Sequence, residues 1–203
     1  MAFIVPIVEG KGEVEAVPIL LRRIAAEVGG WVKVNPPIRV ASGSFLNREE
    51  ERRKYVGLAA NKAIQGRGHV LLMLDCDQEA GDRRQACPAE LGPSLLAQLR
   101  VIRPDVSMFV ALAHKEYESW FLAALESLAG QAGLPADVQA PNDPEAKRNA
   151  KGELGRLLGR NYGYDDELQR QFTELMSLQQ ARRAPSFDRL YQWVAGIVAG
   201  HSA

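Results

Sequence analysis

Three groups of carboxylates stand at similar places along this chain, each directly after an apolar run. Phe3-Ile4-Val5-Pro6-Ile7-Val8 leads into Glu9, with Glu13 one helical turn further on. His69-Val70-Leu71-Leu72-Met73-Leu74 leads into Asp75-Cys76-Asp77, and Val106 to Ala113 is followed by His114-Lys115-Glu116-Tyr117-Glu118. Carboxylates gathered in one place repel one another unless a cation sits among them. An oxygen-only donor set without a His/Cys group suits Mg²⁺ or Mn²⁺ better than zinc. Singly, each group also has a plainer reading. Acids such as Glu9 and Glu13 are favoured at a helix N-terminus, by ~0.3–1 kcal/mol; Asp-x-Asp is common in loops and caps; Glu116 and Glu118 can open and cap a helix.

What decides between these readings is the set of elements that position the acids. Residues 3 to 8 read as a buried strand entering the Gly10-Lys11-Gly12 turn, with Pro6 removing one ladder donor. A bulge, or a missing neighbour on that side, is expected there. Val14, Val17, Ile19, Leu20, Leu21, Ile24 and Val28 recur at helical spacing before Gly29-Gly30. Trp31 to Val40 is a weaker second strand because of Pro36-Pro37, and a charged helix is expected from about Asn47 to Gln65. The run from His69 is the best strand, Pro88 to Arg103 a helix, Val106 to Ala113 a further strand, and Leu122, Leu125 and Leu128 continue a helix to about Gly133.

This alternation predicts an α/β fold, a mostly parallel sheet of about four strands flanked by helices, over residues 1–134. Residues 135–203 read as a helical extension packed on that core. In it, Ser186 after Pro185 is placed as an N-cap, and Trp193, Val194 and Ile197 mark a terminal helix that docks on the core or on a second copy of the chain. Ligands of parallel sheets bind outside the carboxyl ends of the strands. All three acidic groups fall on that edge, which favours a metal site over three unrelated caps. Cys76, alternating with its neighbours, points away from Asp75 and Asp77 into the core, and His114 is either a base beside the site or a structural histidine.

Composition narrows the chemistry further. The chain has 203 residues with 25 basic and 25 acidic side chains, so nucleic-acid binding would rest on local patches such as Arg48, Arg52, Arg53 and Lys54 rather than on a general basic excess. The bland reading of that patch is a solvated helix face neutralised by Glu49, Glu50 and Glu51. No run approaches the roughly 18 apolar residues of a membrane span, and the N-terminus lacks the basic region of a signal peptide. Two cysteines, Cys76 and Cys87, make neither a disulfide scaffold nor a four-thiolate zinc site, and a reduced cytoplasmic location is expected. Gly10-Lys11-Gly12 lacks the spacing of a phosphate-binding P-loop. The arrangement of a phosphoacceptor receiver, with paired acids after the first strand, is reversed here, where the adjacent pair follows the third.

Val8-Glu9-Gly10-Lys11-Gly12-Glu13 and Leu74-Asp75-Cys76-Asp77 resemble the glutamate and DxD signatures of the TOPRIM fold, a Rossmann-like domain of topoisomerases, primases and several nucleases. Pro6-Ile7-Val8-Glu9-Gly10, Glu116-Tyr117-Glu118-Ser119-Trp120-Phe121 and Pro185-Ser186-Phe187 resemble more closely an uncharacterised bacterial TOPRIM-like family, the domain-of-unknown-function family 4276, over most of the chain. The TOPRIM resemblance implies roles. Glu9 matches the strand-one glutamate, a metal ligand or general acid/base, and Asp75 and Asp77 match the metal-binding pair. Glu13 is similar to a second glutamate of the overcoming-lysogenization-defect nucleases, in which Glu118, with Glu116 less closely matched, would serve a second metal. Lys151, or its neighbour Lys147, stands nearest to their late lysine. An exposed helix lysine is the plain reading of either.

By that resemblance the first expectation is a Mg²⁺- or Mn²⁺-dependent phosphodiesterase, foremost a nuclease of phage or plasmid defence, in which two cations would bridge the scissile phosphate. A second is a non-catalytic subunit that binds nucleic acid or a nucleotide and works with a separately encoded ATPase, since neither an ATPase domain nor topoisomerase or primase accessory domains are seen here. Nucleotidyl transfer of the primase kind is a third. A homodimer is compatible with all three.

Overall fold

A computed structural model describes residues 2–76, 88–162 and 166–200. Five strands, β1 (Ala2–Val8), β2 (Val32–Val34), β3 (Ile38–Arg39), β4 (His69–Cys76) and β5 (Ser107–His114), form one sheet in which every pairing is parallel. The order is β2-β1-β4-β5, with β3 also beside β1. Helices cover both faces, as a parallel sheet requires, because its strands are apolar on both sides. The α/β architecture expected from the alternation of elements is therefore the one found.

Pro6 shows how closely the strand register follows local chemistry. β2 pairs with β1 from Ala2 to Ile4 and β3 pairs with it at Ile7 and Val8, so the edge strand is interrupted at Asn35-Pro36-Pro37. The carbonyls of Ile4 and Val8 accept N–H groups from that edge, Asn35 and Val40, each at 2.9 Å. Alternate residues of a strand bond to the same side, so Pro6 faces the gap where no ladder donor is needed. A neighbour missing on that side is what the proline implied.

The two faces hold two apolar clusters. Phe3, Val5, Ile7, Val70, Leu72, Leu74 and Cys76 face α3 (Glu49–Gln65) and α4 (Pro88–Ile102), preceded by the short α2 (Ser42–Asn47). Ile4, Val8, Leu71 and Met73 face α1 (Lys11–Glu27). The same cluster takes in α5 (Ser119–Ala123), α6 (Ala150–Leu158), α7 (Asp166–Leu175), α8 (Leu178–Ala181) and α9 (Pro185–Ala199). α7 lies along α1, where the Arg23 guanidinium donates to the carbonyls of Thr173 (2.6 Å) and Met176 (2.9 Å), a cation on the orphan acceptors of a helix C-terminus. α9 docks on the core: Trp193 stacks on Phe109 of β5 at 4.8 Å between centroids, and Val194 and Val198 are buried.

Three local expectations are corrected. The helix expected to run to about Gly133 stops at Ala123 and tightens into a 3₁₀ turn over Leu125–Leu128, before positive φ angles at Gly130, Ala132 and Gly133 wind the chain round. All five residues of α5 are buried, so packing rather than amphipathic spacing sets its length. Ser186 is not an N-cap: α9 begins at Pro185 after the cap residue Ala184, and Glu145 Oε1 accepts the Ser186 N–H at 3.0 Å instead. A short helix, α2, precedes the charged one, which starts at Glu49. Among the described residues no helix is long and apolar enough to cross a membrane.

Gly68, just before β4, is where the backbone admits no side chain. A Cβ there would stand 2.4 Å from the Phe3 carbonyl oxygen, a backbone atom of the neighbouring strand. Gly68→Ala is expected to destabilise the chain by about 1–3 kcal/mol through overpacking, read as a lower midpoint in denaturant unfolding with an unchanged slope.

Candidate functional site

In a sheet of order β2-β1-β4-β5 the chain direction from strand to strand reverses between β1 and β4, and the crevice at the carboxyl ends there is where α/β folds hold ligands. Glu9 follows β1 and Asp75 lies in the last turn of the β4 pleat. Alternation in β4 sends Leu74 and Cys76 to the α3–α4 face and leaves Asp75 on the α1 face. Cys76 thus points away from the acids, as a small buried hydrophobe.

The loop after β5 closes over Asp75. Lys115 takes a left-handed conformation (φ 71°), which turns the chain back so that the Tyr117 N–H donates to Asp75 Oδ1 at 2.9 Å. Tyr117 itself is fully buried, its hydroxyl 3.0 Å from the Thr173 hydroxyl of α7. Burial pushes its phenol pKa up, so it serves as a neutral strut. Glu118, next in line, is 1% exposed, and its Oε2 makes no hydrogen bond.

Glu13 is also buried, in the first turn of α1, where its Oε2 accepts the N–H groups of Glu9 and Gly10, both at 3.0 Å. It therefore does cap the helix, as the plainer reading of its position had it, while its charge still reaches Asp75 and Glu118. Glu9 Oε1 accepts from the Ser42 hydroxyl, and its carbonyl accepts from Arg39 Nε at 3.1 Å. Ser42 and Arg39 were not singled out from the sequence. They stand after and at the end of the edge strand β3, so the rule that picked the acids could have found them.

Lys151 completes the arrangement from α6. Asn149 caps that helix by accepting the Gly152 N–H, and Glu116 Oε2 accepts the Lys151 N–H at 3.0 Å across 35 residues of chain. So fixed, the Lys151 ammonium lies 3.7 Å from Asp75 Oδ2 and 3.6 Å from Glu118 Oε2. Glu116 is placed as the group that holds the lysine's helix. Lys147 lines a separate cleft with Glu153 and Arg156. His114 lies with Nδ1 3.7 Å from Glu145 rather than against Asp75, the structural member of its two readings. Asp77, and with it Cys87, lies outside the described residues.

Electrostatics follow from burial. Glu118 is pushed up to about 7 by desolvation, which outweighs the lowering by Lys151, and Glu116 and Glu13 add to the rise. Asp75 is raised well above the usual carboxylate range by burial and then by Glu13 and Glu118, and Glu13 is raised chiefly by burial. Lys151 is raised: the attraction of Glu118 and Asp75 outweighs its own desolvation, so it stays charged at neutral pH. Two buried acids, Glu13 and Glu118, and the half-buried Asp75 stand around one ammonium, a centre with more acids than counter-charges. Its donors are all oxygen, with one buried carboxylate oxygen free of hydrogen bonds, which fits a hard divalent cation. Among the described residues no three His, Cys, Asp or Glu side chains are already drawn together as a metal-ligand set.

No curated protein and no solved structure matches the chain. The domain of unknown function DUF4276 matches it over residues 8–195, from the end of β1 to the middle of α9, a span that holds every residue of the site just described. The chain belongs to that family.

Proposed function

We propose that the chain is a Mg²⁺- or Mn²⁺-dependent phosphodiesterase of the TOPRIM type, acting on nucleic acid as a nuclease. The observation that carries this reading is the gathering of buried Glu118 and Glu13 with half-buried Asp75 around a single ammonium at the crevice between β1 and β4, more carboxyl groups than one counter-charge can compensate once they ionise. The similarity of Glu9 and of Asp75-Cys76-Asp77 to the TOPRIM signatures supports it. Asp75 and Glu118, with Glu9, would hold the ion, and Asp77 matches the remaining ligand of the pattern. A bound divalent ion in such a site polarises the phosphate and acidifies a water.

The chain's own groups then do the rest. Tyr117 N–H fixes Asp75 through Oδ1, and Ser42 fixes Glu9 through Oε1, so neither carboxylate has to reorganise on binding. Lys151, carried by a capped helix, supplies a positive charge for a phosphate oxygen. Arg39, exposed beside Glu9, offers a second phosphate contact at the same edge.

Calorimetric titration of Mn²⁺ into the purified chain is expected to give saturable binding that Glu9→Gln weakens at least tenfold, followed by Mn²⁺-dependent cleavage within a panel of DNA and RNA substrates. Absence of Mn²⁺ binding, with and without nucleic acid, would sink the enzyme reading. Cleavage seen only after a co-purifying ATPase is added would make the chain a subunit rather than a self-sufficient nuclease.

A further inference from the structure

The Lys151 ammonium stands where the acids would meet an ion. It sits between Asp75 Oδ2 and Glu118 Oε2 at 3.7 and 3.6 Å, beyond the reach of a good hydrogen bond to either. It is held there by the field of both carboxylates rather than by a directed contact. Its position is built from the backbone outward: Glu116 accepts the Lys151 N–H and Asn149 caps the turn. The side chain remains 42% exposed. Lysine is a compact charge on a flexible four-carbon stem, so a path outward exists. Among the described residues no other cation pairs with Asp75 or Glu118. Lys11 on α1 is exposed, and Arg39 turns to the Glu9 carbonyl.

We infer that Lys151 is a resident counter-cation of the acidic centre, which stabilises the metal-free chain and must be displaced for a divalent ion to enter. The inference rests on the reading of this edge as a cation site and concerns the state before the ion arrives. Two charges cannot share the space between Asp75 and Glu118 without strong repulsion. The ion's apparent affinity is therefore lowered by the ammonium, and the ammonium swings outward as the ion binds, to the side from which a phosphate would approach. An exposed helix lysine without this role would leave both metal affinity and metal-free stability unchanged.

The test compares the full chain with Lys151→Met, which keeps the stem and removes the charge, and with Lys151→Arg, which keeps the charge. Mn²⁺ binding is read by calorimetry, and Tm is read in EDTA and in Mn²⁺. Lys151→Met is expected to melt several degrees lower than the parent in EDTA, to bind Mn²⁺ at least tenfold more tightly, and to gain more Tm from Mn²⁺ than the parent does. Lys151→Arg is expected to stay near the parent on all three. If Lys151→Met is unfolded in EDTA, Mn²⁺ must refold it, and failure to do so would overturn the inference. A parent that binds Mn²⁺ with a Met variant that binds no tighter would also overturn it, leaving the metal-site reading intact. A parent and Met variant that both fail to bind would overturn that reading and this inference together.

Discussion

Asp75→Asn is expected to abolish Mn²⁺ binding and phosphodiester cleavage while the variant melts no lower than the parent at pH 7.5. The two halves of this result have separate causes. Oδ1 of Asp75 accepts the Tyr117 N–H at 2.9 Å, and an asparagine Oδ1 can keep that bond, so the loop after β5 stays in place. Oδ2 faces Lys151 at 3.7 Å and carries the charge that a cation would use. Burial and the nearby Glu13 and Glu118 already disfavour that charge in the metal-free chain, so exchanging it for a neutral amide relieves repulsion. Against this stands the loss of one ion pair to a partly exposed lysine, worth little by comparison. Loss of turnover should be on the order of 10³-fold or more, the scale of removing a principal electrostatic group. Asp75→Ala, which also removes the acceptor for Tyr117, should lose stability as well as turnover. If Asp75→Asn cleaved as well as the parent, Asp75 would have no part in the chemistry. A drop in Tm as large as that of the Ala variant would make its role structural.

The sheet and its acidic edge were legible because each depends on short stretches of chain. The apolar runs before Glu9, Asp75 and Glu116 end at the strand edge, and the pleat alone sends Cys76 to one face and Asp75 to the other. Pro6 and Pro36-Pro37, read separately as defects, are one feature: the proline faces the place where the edge strand is broken. What could not be read locally is what depends on distant residues. Glu116 has the look of a helix cap at its own position and instead accepts from the backbone of Lys151. Tyr117, between two acids that drew attention, joins the site through its N–H rather than its side chain. Ser186 loses the cap role because it lies inside the first turn of α9, where its N–H and its hydroxyl both donate to Glu145 Oε1 and the hydroxyl accepts from Trp120 Nε1 at 2.7 Å. That last contact explains a pattern the sequence carried without a reason. The segments Glu116–Phe121 and Pro185–Phe187, far apart in the chain, meet where Trp120 packs edge-on to Phe187. Lys151 was picked by position in the chain and not by pattern, since nothing around it distinguishes it from Lys147.

Divalent-ion binding is expected to expel more protons near pH 6.5 than near pH 8.5. Glu118 is pushed up to about 7 from an ordinary value of 4.5, Asp75 is raised well above its ordinary range, and Glu13 is raised, in each case first by burial. A carboxyl whose folded value lies above its unfolded one binds protons more tightly when folded. Its contribution is favourable in acid and is lost as pH rises from the unfolded value through the folded one. For Glu118 that is a loss on the order of 3 kcal/mol, complete above about pH 7. Lys151 is raised too, but a lysine so shifted stabilises everywhere below its unfolded value and loses its effect only above about 10.5, outside this window. The metal-free chain should therefore lose stability steadily between about pH 4.5 and 7, the window set by Glu118, against the usual trend for a chain whose acids are ion-paired. A divalent ion needs the same carboxylates ionised. At pH 6.5 it must drive protons from them, and the heat of Mg²⁺ or Mn²⁺ binding should then vary with the ionisation enthalpy of the buffer. At pH 8.5 Glu118 has lost its proton, so its share of the buffer dependence should vanish and the affinity should rise. Asp75→Asn separates the carboxyl groups, because Glu118 and Glu13 keep their burial but lose one like-charged neighbour. Its metal-free stability should fall less steeply with pH than the parent's. A binding heat independent of buffer at pH 6.5 would mean that the acids are already ionised in the metal-free chain, and that Lys151 alone compensates them.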